Sequence, residues 1–472
     1  MTYQSMENVH DSMPLLREKH TAVEVVEEGH VDELNGSSVS RRSRKGAAVG
    51  LIVLALGAIS ALTALRGETS SQGSAAVAGS ASTKLATAAT AGPATTVGTA
   101  DSLAGLESSE EDNAAAAGAH PALSVMTAEE KEALFEDFVT KFEKLYRDDD
   151  ERAMRFEIFK RNLKRIDDRN VNSQGARYDL TMWADLTQEE FKSYQTYGKV
   201  SAEAKARART KAKSLNKLAE ESSTCQACTR FPELEQYIDG DLPSDFDWRE
   251  YGAVTAVKNQ AYCGSCWSFS TTGCLEGAWY LSGHPLESLS EQQLVACDTE
   301  YNQGCNGGWP SLAMDYISEN GGIVPEGIYP YRKVYMTGHL PDPVCSSVVK
   351  DGNYAATLSI EVAVAEAPMS EDAMARWLIL NGPLSVALDA IGMDYYDSGI
   401  DMGEYCHPLE IDHAVLIVGF GEEDGIKFWI IKNSWKYLWG ERGYYRLVRG
   451  VNACGIADDV TTIIVGDATV DK

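Results

Sequence analysis

Positive charge is in short supply in this chain: 42 Lys and Arg stand against 70 Asp and Glu, for a formal net charge of −28. Most of that charge falls after residue 240. The balance argues against nucleic acid as a partner, because a phosphate backbone is bound by cationic surface. It suits a soluble body working where protons are plentiful, since partial protonation relieves the repulsion among carboxylates. Large apolar side chains are scarce over residues 67–125, which are mainly Ala, Ser, Thr and Gly. Such a stretch cannot bury enough surface to fold, so a disordered stalk is expected over 66–125. Residues 1–45 lack the apolar run of a cleavable signal peptide and read as a polar tail. Sequons for N-glycosylation are nearly missing too, with Asn35-Gly36-Ser37 in that tail as the one match.

Residues 46–65, Gly46 through Leu65, form an uncharged apolar run of about the 20 residues that cross a bilayer. Arg41, Arg42, Arg44 and Lys45 precede it, which holds that side in the cytosol and predicts a type II signal anchor. The body after the anchor then lies in the lumen. On the cytosolic side, Tyr3-Gln4-Ser5-Met6 and Asp11-Ser12-Met13-Pro14-Leu15-Leu16 resemble endosomal sorting signals, which implies sorting adaptors as partners.

The chain does hold an armed thiol. Cys266 sits in Gln260-Ala261-Tyr262-Cys263-Gly264-Ser265-Cys266-Trp267, with a helix-like run over Ser268 to Leu281 behind it. Unpaired N–H groups at a helix start favour the thiolate, which is the nucleophilic form. A base candidate, His413, opens the strand-like run Ala414-Val415-Leu416-Ile417-Val418. Asn433 ends a second such run, Phe428-Trp429-Ile430-Ile431, where its amide can fix the imidazole tautomer. Trp435 would shield that contact from water. The Gln260 amide and the Cys266 backbone N–H can donate to an oxyanion formed by thiolate attack on a carbonyl.

At these residues the chain resembles the papain family of cysteine proteases, in its cathepsin L-like branch. The Cys-Gly-Ser-Cys-Trp run matches the family pattern, and so does a histidine 147 positions beyond Cys266. The resemblance implies an α+β fold of two lobes, one helical and one a β-barrel, preceded by a helical inhibitory propeptide. It pairs Cys263 with Cys305, Cys297 with Cys345 and Cys406 with Cys454, and leaves Cys266 free; Cys274 reads as a small buried residue. Cys225 and Cys228 form a Cys-x-x-Cys with no second pair nearby, and read as a local disulfide or two idle thiols. No metal or organic cofactor is implied. The partners implied are peptide substrates and the chain's own propeptide, with the mature form a monomer.

The resemblance also places a substrate groove. Gly307 and Gly308, in Gly304-Cys305-Asn306-Gly307-Gly308-Trp309-Pro310, would let an extended peptide approach closely. Trp309, Pro310, Ala387, Ile411 and Ala414 would line the pocket for the second residue before the cut, beside Asp412. Asp459 stands at its base, where a carboxylate could accept Arg or Lys. The alternative is that Asp459 faces solvent and the preference is purely apolar. Lys436 stands where the family commonly has Gly after Asn-Ser-Trp, and Trp439 and Gly440 then recover the pattern, with Trp439 counted among substrate contacts.

Structure is expected to resume near Thr127. Glu151, Arg155, Phe159, Asn162, Ile166 and Asn170 recur at helical spacing and resemble the propeptide signature of cathepsin L-like zymogens. Asp179-Leu180-Thr181-Met182-Trp183-Ala184-Asp185 stands in place of a second propeptide motif and keeps its usual residue at Asp185 alone. Residues 126–241 are therefore expected to be propeptide and activation linker, with 201–217 an exposed helix or linker. Residues 242–472 are expected to be the catalytic domain, and Leu242-Pro243-Ser244-Asp245 resembles the family's mature start. Cleavage is expected between roughly 215 and 243. The function implied is an endopeptidase of an acidic lysosome-like or vacuolar compartment.

Overall fold

The computed structural model describes residues 122–198, 225–332 and 370–466, with short pieces at 201–204, 206, 213–214, 345 and 359–364. The tail and anchor expected over 1–65, and nearly all of the stalk, lie outside the described residues. Order begins slightly before the expected Thr127. A 3-10 turn at Leu123–Val125 forms because the Asp167 carboxylate accepts the N–H groups of Leu123 and Ser124 at 2.9 and 2.6 Å. Among the described residues no helix is long and apolar enough to cross a membrane.

The first body of structure is helical. Thr127 and Glu130 cap α1 (Ala128–Lys141) reciprocally, and Asp148 caps α2 (Asp149–Asn172). The helices are locked by an aromatic cluster in which Phe135 and Phe138 lie 5.2 and 5.1 Å from the Phe159 ring. The polar members of the α2 stripe hold the loop that follows. Asn162 donates to the carbonyls of Ala184 and Leu186, each at 2.8 Å. Asn170 bonds both the N–H and the carbonyl of Tyr178, and Arg155 pairs with Glu190 at 2.8 Å. The stripe is therefore polar because it holds a loop as well as a core. A short α3 (Gln188–Tyr194) follows, with Thr187 and Glu190 as its capping box.

The second body joins helices to a sheet of mixed direction. Its helices are α4 (Cys266–Leu281), α5 (Glu291–Cys297), α6 (Pro310–Asn320) and α7 (Glu371–Asn381). Its strands are β1 (Ala176–Tyr178), β2 (Lys213–Ser214), β3 (Phe246–Asp247), β4 (Ser359–Val364) and β5 (Leu384–Leu388). Then come β6 (Tyr396–Asp401), β7 (His413–Glu423), β8 (Ile426–Lys432), β9 (Tyr444–Val448) and β10 (Val460–Gly466). The strand order is β1-β6-β9-β8-β7-β5-β10-β4-β2, with β3 paired to β7. Two of the strands, β1 and β2, come from segments expected to belong to the propeptide and linker.

Nearly every residue of α4 is buried, so it is a core helix without a solvent face. At Gly273 a Cβ would stand 2.8 Å from the Leu416 side chain of β7, so glycine there sets the depth of the helix on the sheet. Disulfides join Cys263 to Cys305, Cys297 to Cys345 and Cys406 to Cys454. Cys225 and Cys228 are joined as well, the first of the two readings left open for that pair.

The helical body grips the sheet through Arg169. Its guanidinium pairs with Asp394, donates to the carbonyls of Gly392 and Ile391 at 3.1 Å, and lies 5.0 Å from the Tyr395 ring. Beside it β1 pairs antiparallel with β6, and the Thr181 hydroxyl donates to the Asp394 carbonyl. Removing one member of a buried, hydrogen-bonded ion pair costs about 3–5 kcal/mol, because the other charge stays buried. Arg169→Ala should therefore lower the melting temperature of the full chain by several degrees. Differential scanning calorimetry of the full-chain variant against the wild type checks this.

Candidate active site

Fold topology brings Cys266, His413 and Asn433 together. Cys266 is the first residue of α4, and His413 is the first residue of β7, where it pairs in register with Leu388 of β5. Asn433 follows the last residue of β8, and the β7–β8 hairpin carries it back beside His413. His413 Nε2 lies 2.9 Å from Asn433 Oδ1, which fixes the ring, while Nδ1 has no partner among the described residues. The backbone N–H of Ala414, the residue after His413, points at the Cys266 sulfur. Sulfur and imidazole thus share one buried site, both inaccessible to solvent.

The site is walled and braced. Trp435 stacks on the His413 ring with centroids 4.8 Å apart and keeps water from the His–Asn contact. Gln260 is held at both ends: its carbonyl oxygen accepts from Ser434 Oγ at 2.6 Å, and its Nε2 donates to the Cys263 carbonyl at 3.0 Å. Below Asn433, the Lys432 ammonium donates to Thr255 Oγ1 at 2.9 Å. Lys258 next to it bridges Glu276 and Glu291 at 2.8 and 2.6 Å. Burial pulls the Lys432 ammonium down to about 8 and pushes the Glu291 carboxyl above its ordinary range.

A strand of the chain itself fills the groove. Tyr197 N–H donates to the Asp412 carbonyl at 2.8 Å, Gly198 N–H donates to the Gly308 carbonyl at 3.0 Å, and Tyr197 bridges Gly308 in parallel. The Thr196 backbone N–H points at the Cys266 sulfur, and its hydroxyl donates to the Gly264 carbonyl at 2.7 Å. The sulfur therefore meets an amide hydrogen rather than a carbonyl carbon. At Gly308 a Cβ would stand 2.5 Å from the Trp267 ring, so the close approach depends on glycine there; Gly307 turns the chain with φ of 126°.

The Tyr197 side chain is buried in the expected pocket with Trp309, Ala387 and Ala414, and with Ile411 at its margin. Leu312 and Tyr301 also pack there and were not foreseen. Leu312 is one helical turn from Trp309, a spacing that could have signalled it. Pro310 instead starts α6, where its fixed φ suits a first helical residue. Asp459 points into the pocket rather than to solvent: it accepts the Trp309 indole N–H at 3.0 Å and the Tyr197 phenol. Trp439 is placed differently from its expected role as a substrate contact. It is fully buried behind Trp435, ring against ring at 4.9 Å, and gives its N–H to the Met393 carbonyl.

Electrostatics in this state oppose the arming that a helix start supplies. Burial pushes the Cys266 thiol up to about 11, against the N–H groups of Ala414, Thr196 and Trp267 that favour thiolate. Burial likewise pulls His413 down to about 4, partly offset by Asn433. Both shifts favour the neutral forms, so the covered site holds a thiol and an imidazole. Desolvation outweighs the helix terminus until water returns.

Lys436 adopts φ of 67°, the conformation for which the family's glycine suits this turn. Its N–H donates to the Lys258 carbonyl at 3.0 Å and its ammonium pairs with Glu143 at 2.9 Å. A Cβ in that conformation costs about 1 kcal/mol. Lys436→Gly should raise the melting temperature of the proteolytically freed enzyme by about 2–4 °C in a thermal scan. In the full chain, burial holds the Cys266 thiol neutral well above pH 8. Iodoacetamide should therefore alkylate it slowly, with a rate that climbs toward pH 11. Removing the covering segment should speed alkylation at pH 8 at least 100-fold, measured by mass spectrometry.

The comparisons agree with this geometry. A family model described as "Papain family cysteine protease" matches residues 242–464, and one described as "Cathepsin propeptide inhibitor domain (I29)" matches residues 135–191. Cysteine proteinase 1 of Dictyostelium discoideum is 36% identical over 358 residues, spanning 71% of this chain and 93% of its own. Cathepsin F of Mus musculus is 38% identical over 335 residues, spanning 70% of this chain and 64% of its own. Procathepsin L 3 from Tenebrio molitor larval midgut superposes with a TM-score of 0.58 at 31% identity, covering 71% of this chain and 98% of its own. The chain belongs to the papain family of cysteine proteases, and its catalytic domain is described here with its inhibitory propeptide in place.

Proposed function

We propose that the chain is the zymogen of a cathepsin L-like endopeptidase. The observation that carries this reading is the backbone of Thr196–Gly198, seated between Asp412 and Gly308 with an amide at the Cys266 sulfur. A groove that pairs with backbone and pockets alternate side chains is suited to peptides of many sequences. Its chain direction also explains latency. The propeptide runs from the sulfur toward the Trp309 pocket, whereas a substrate cut after the residue next to that pocket runs the other way. With the propeptide gone, the Cys266 thiolate attacks the peptide carbonyl and His413 protonates the leaving amine. Cys266 N–H and the braced Gln260 amide hold the oxyanion, and water with His413 as base frees the acyl group.

The pocket supports a preference for apolar residues and for side chains that end in a donor, including Arg and Lys. Tyr197 already presents a phenol to Asp459 inside it. Membrane anchoring through residues 46–65 and an acidic lysosome-like compartment complete the reading, supported by the apolar run and its basic flank.

Two measurements test it. An epoxysuccinyl probe should label the mature form, and Cys266→Ala should abolish labelling; label retained after that substitution overturns the assignment. Asp459→Ala should lower kcat/KM for peptides with Tyr or Arg at the pocket position on the order of 10-fold, while Leu peptides change little. Equal losses across all three would refute the role of Asp459.

A further inference from the structure

Between the two family matches lies a stretch that neither covers, residues 192–241. Its last part, 225–241, is packed against the catalytic domain. Ala227 and Leu234 are buried in one cluster with Phe246, Trp248, Ala253, Leu281, Trp377 and Leu378. The Phe231 ring stands edge-on to Tyr251 at 5.0 Å. The Arg230 guanidinium lies 3.8 Å from the Tyr280 ring and donates to the His284 carbonyl at 3.2 Å.

Polar contacts pin the same segment along its length. Gln226 Nε2 donates to the Ala278 carbonyl of α4 at 2.7 Å, and its Oε1 accepts the Val465 N–H of β10 at 3.2 Å. Its own N–H reaches the Asn381 amide oxygen at the end of α7. Gln226 thus ties α4 to β10 through its side chain and reaches α7 through its backbone N–H. At the other end, Arg376 of α7 donates to the carbonyls of Tyr237 and Gly240 at 2.5 and 2.8 Å. The ring, cation and hydrogen-bond partners of the segment named above belong to the catalytic domain. The Cys225–Cys228 disulfide closes the segment's first turn.

From this packing we propose that the activating cut falls before Cys225, so that residues 225–241 remain covalently part of the mature enzyme as a disulfide-stapled N-terminal arm. The inference rests on the zymogen reading above and moves the mature start upstream of the Leu242 that the family resemblance implies. A cut at Leu242 would leave the arm held by its packing alone. A protease also needs several residues of extended, accessible backbone, and the arm's buried anchors and paired carbonyls withhold that until it unfolds locally. Release of the helical body leaves the arm's ring, cation and hydrogen-bond contacts to the catalytic domain in place. Its loss would instead bare the apolar face formed by Trp248, Tyr251 and Trp377, and leave Arg376 without its acceptors in the arm.

The test starts from the full chain, activated and sorted by epoxysuccinyl labelling, so that the protease reading is checked separately from the arm. N-terminal sequencing and intact mass of the labelled form should give a start upstream of Cys225, with both arm cysteines present as a disulfide. A labelled form that starts anywhere after Cys225 overturns the proposal. A second readout uses Leu234→Ala, activated in the same way. If the arm is retained, the mature variant should melt about 5 °C or more below the mature wild type, since the lost contact is then part of the enzyme. Identical melting of the two mature forms overturns the proposal even where the sequencing is ambiguous.

Discussion

The seating of α4 on β7 is the constraint on which the rest of the molecule depends. With the Leu416 side chain 2.8 Å from where a Cβ of residue 273 would stand, any larger residue there would force the Leu416 side chain or the helix to shift. That seating brings the first residue of the helix, Cys266, level with the first residue of the strand, His413. The register of β7 against β5 and β8 then places Ala387 and Asn433 around them. The Lys258 and Lys432 network lies under the same junction, where paired charges hold the backbone on either side of the site. The meeting of a thiol and an imidazole 147 positions apart is thus a consequence of how closely one helix approaches one strand.

Latency follows from what that junction excludes. An exposed thiol at a helix start would lean toward thiolate by roughly 1 kcal/mol or less. Burial acts the other way and is the larger effect, pushing the Cys266 thiol up and pulling the His413 imidazole down. The propeptide therefore does more than block the groove. It offers the sulfur an amide hydrogen where a substrate would offer a carbonyl. Arg169 and β1 hold that arrangement from the far side of the helical body.

Two departures from the family pattern become understandable in place. The Thr181 hydroxyl finds the Asp394 carbonyl, and the Trp183 ring stands edge-on to Trp435 at 5.2 Å, so the altered propeptide motif still docks on the catalytic domain. Lys436 keeps the left-handed turn at a cost and gains Glu143 of the propeptide as a partner. Neither compensation was legible beforehand, because each partner lies more than 200 residues away in the chain. The role of Trp439 was misread for a related reason: a tryptophan near an active-site motif can line the groove or brace the residue that does.

By itself the sequence determined the chemistry and the local elements. Cys266, His413, Asn433 and Gln260 were marked by residue type and flanks, and the stripe from Glu151 to Asn170 by a helical period that short-range sterics impose. Tertiary structure alone decided which side chains share a pocket, that Tyr197 would enter it, that Asp459 would face inward, and that 225–241 would pack with the catalytic domain. Those outcomes depend on desolvation and on contacts between distant segments. A linear pattern carries no record of them, since the same residues in another fold would face water.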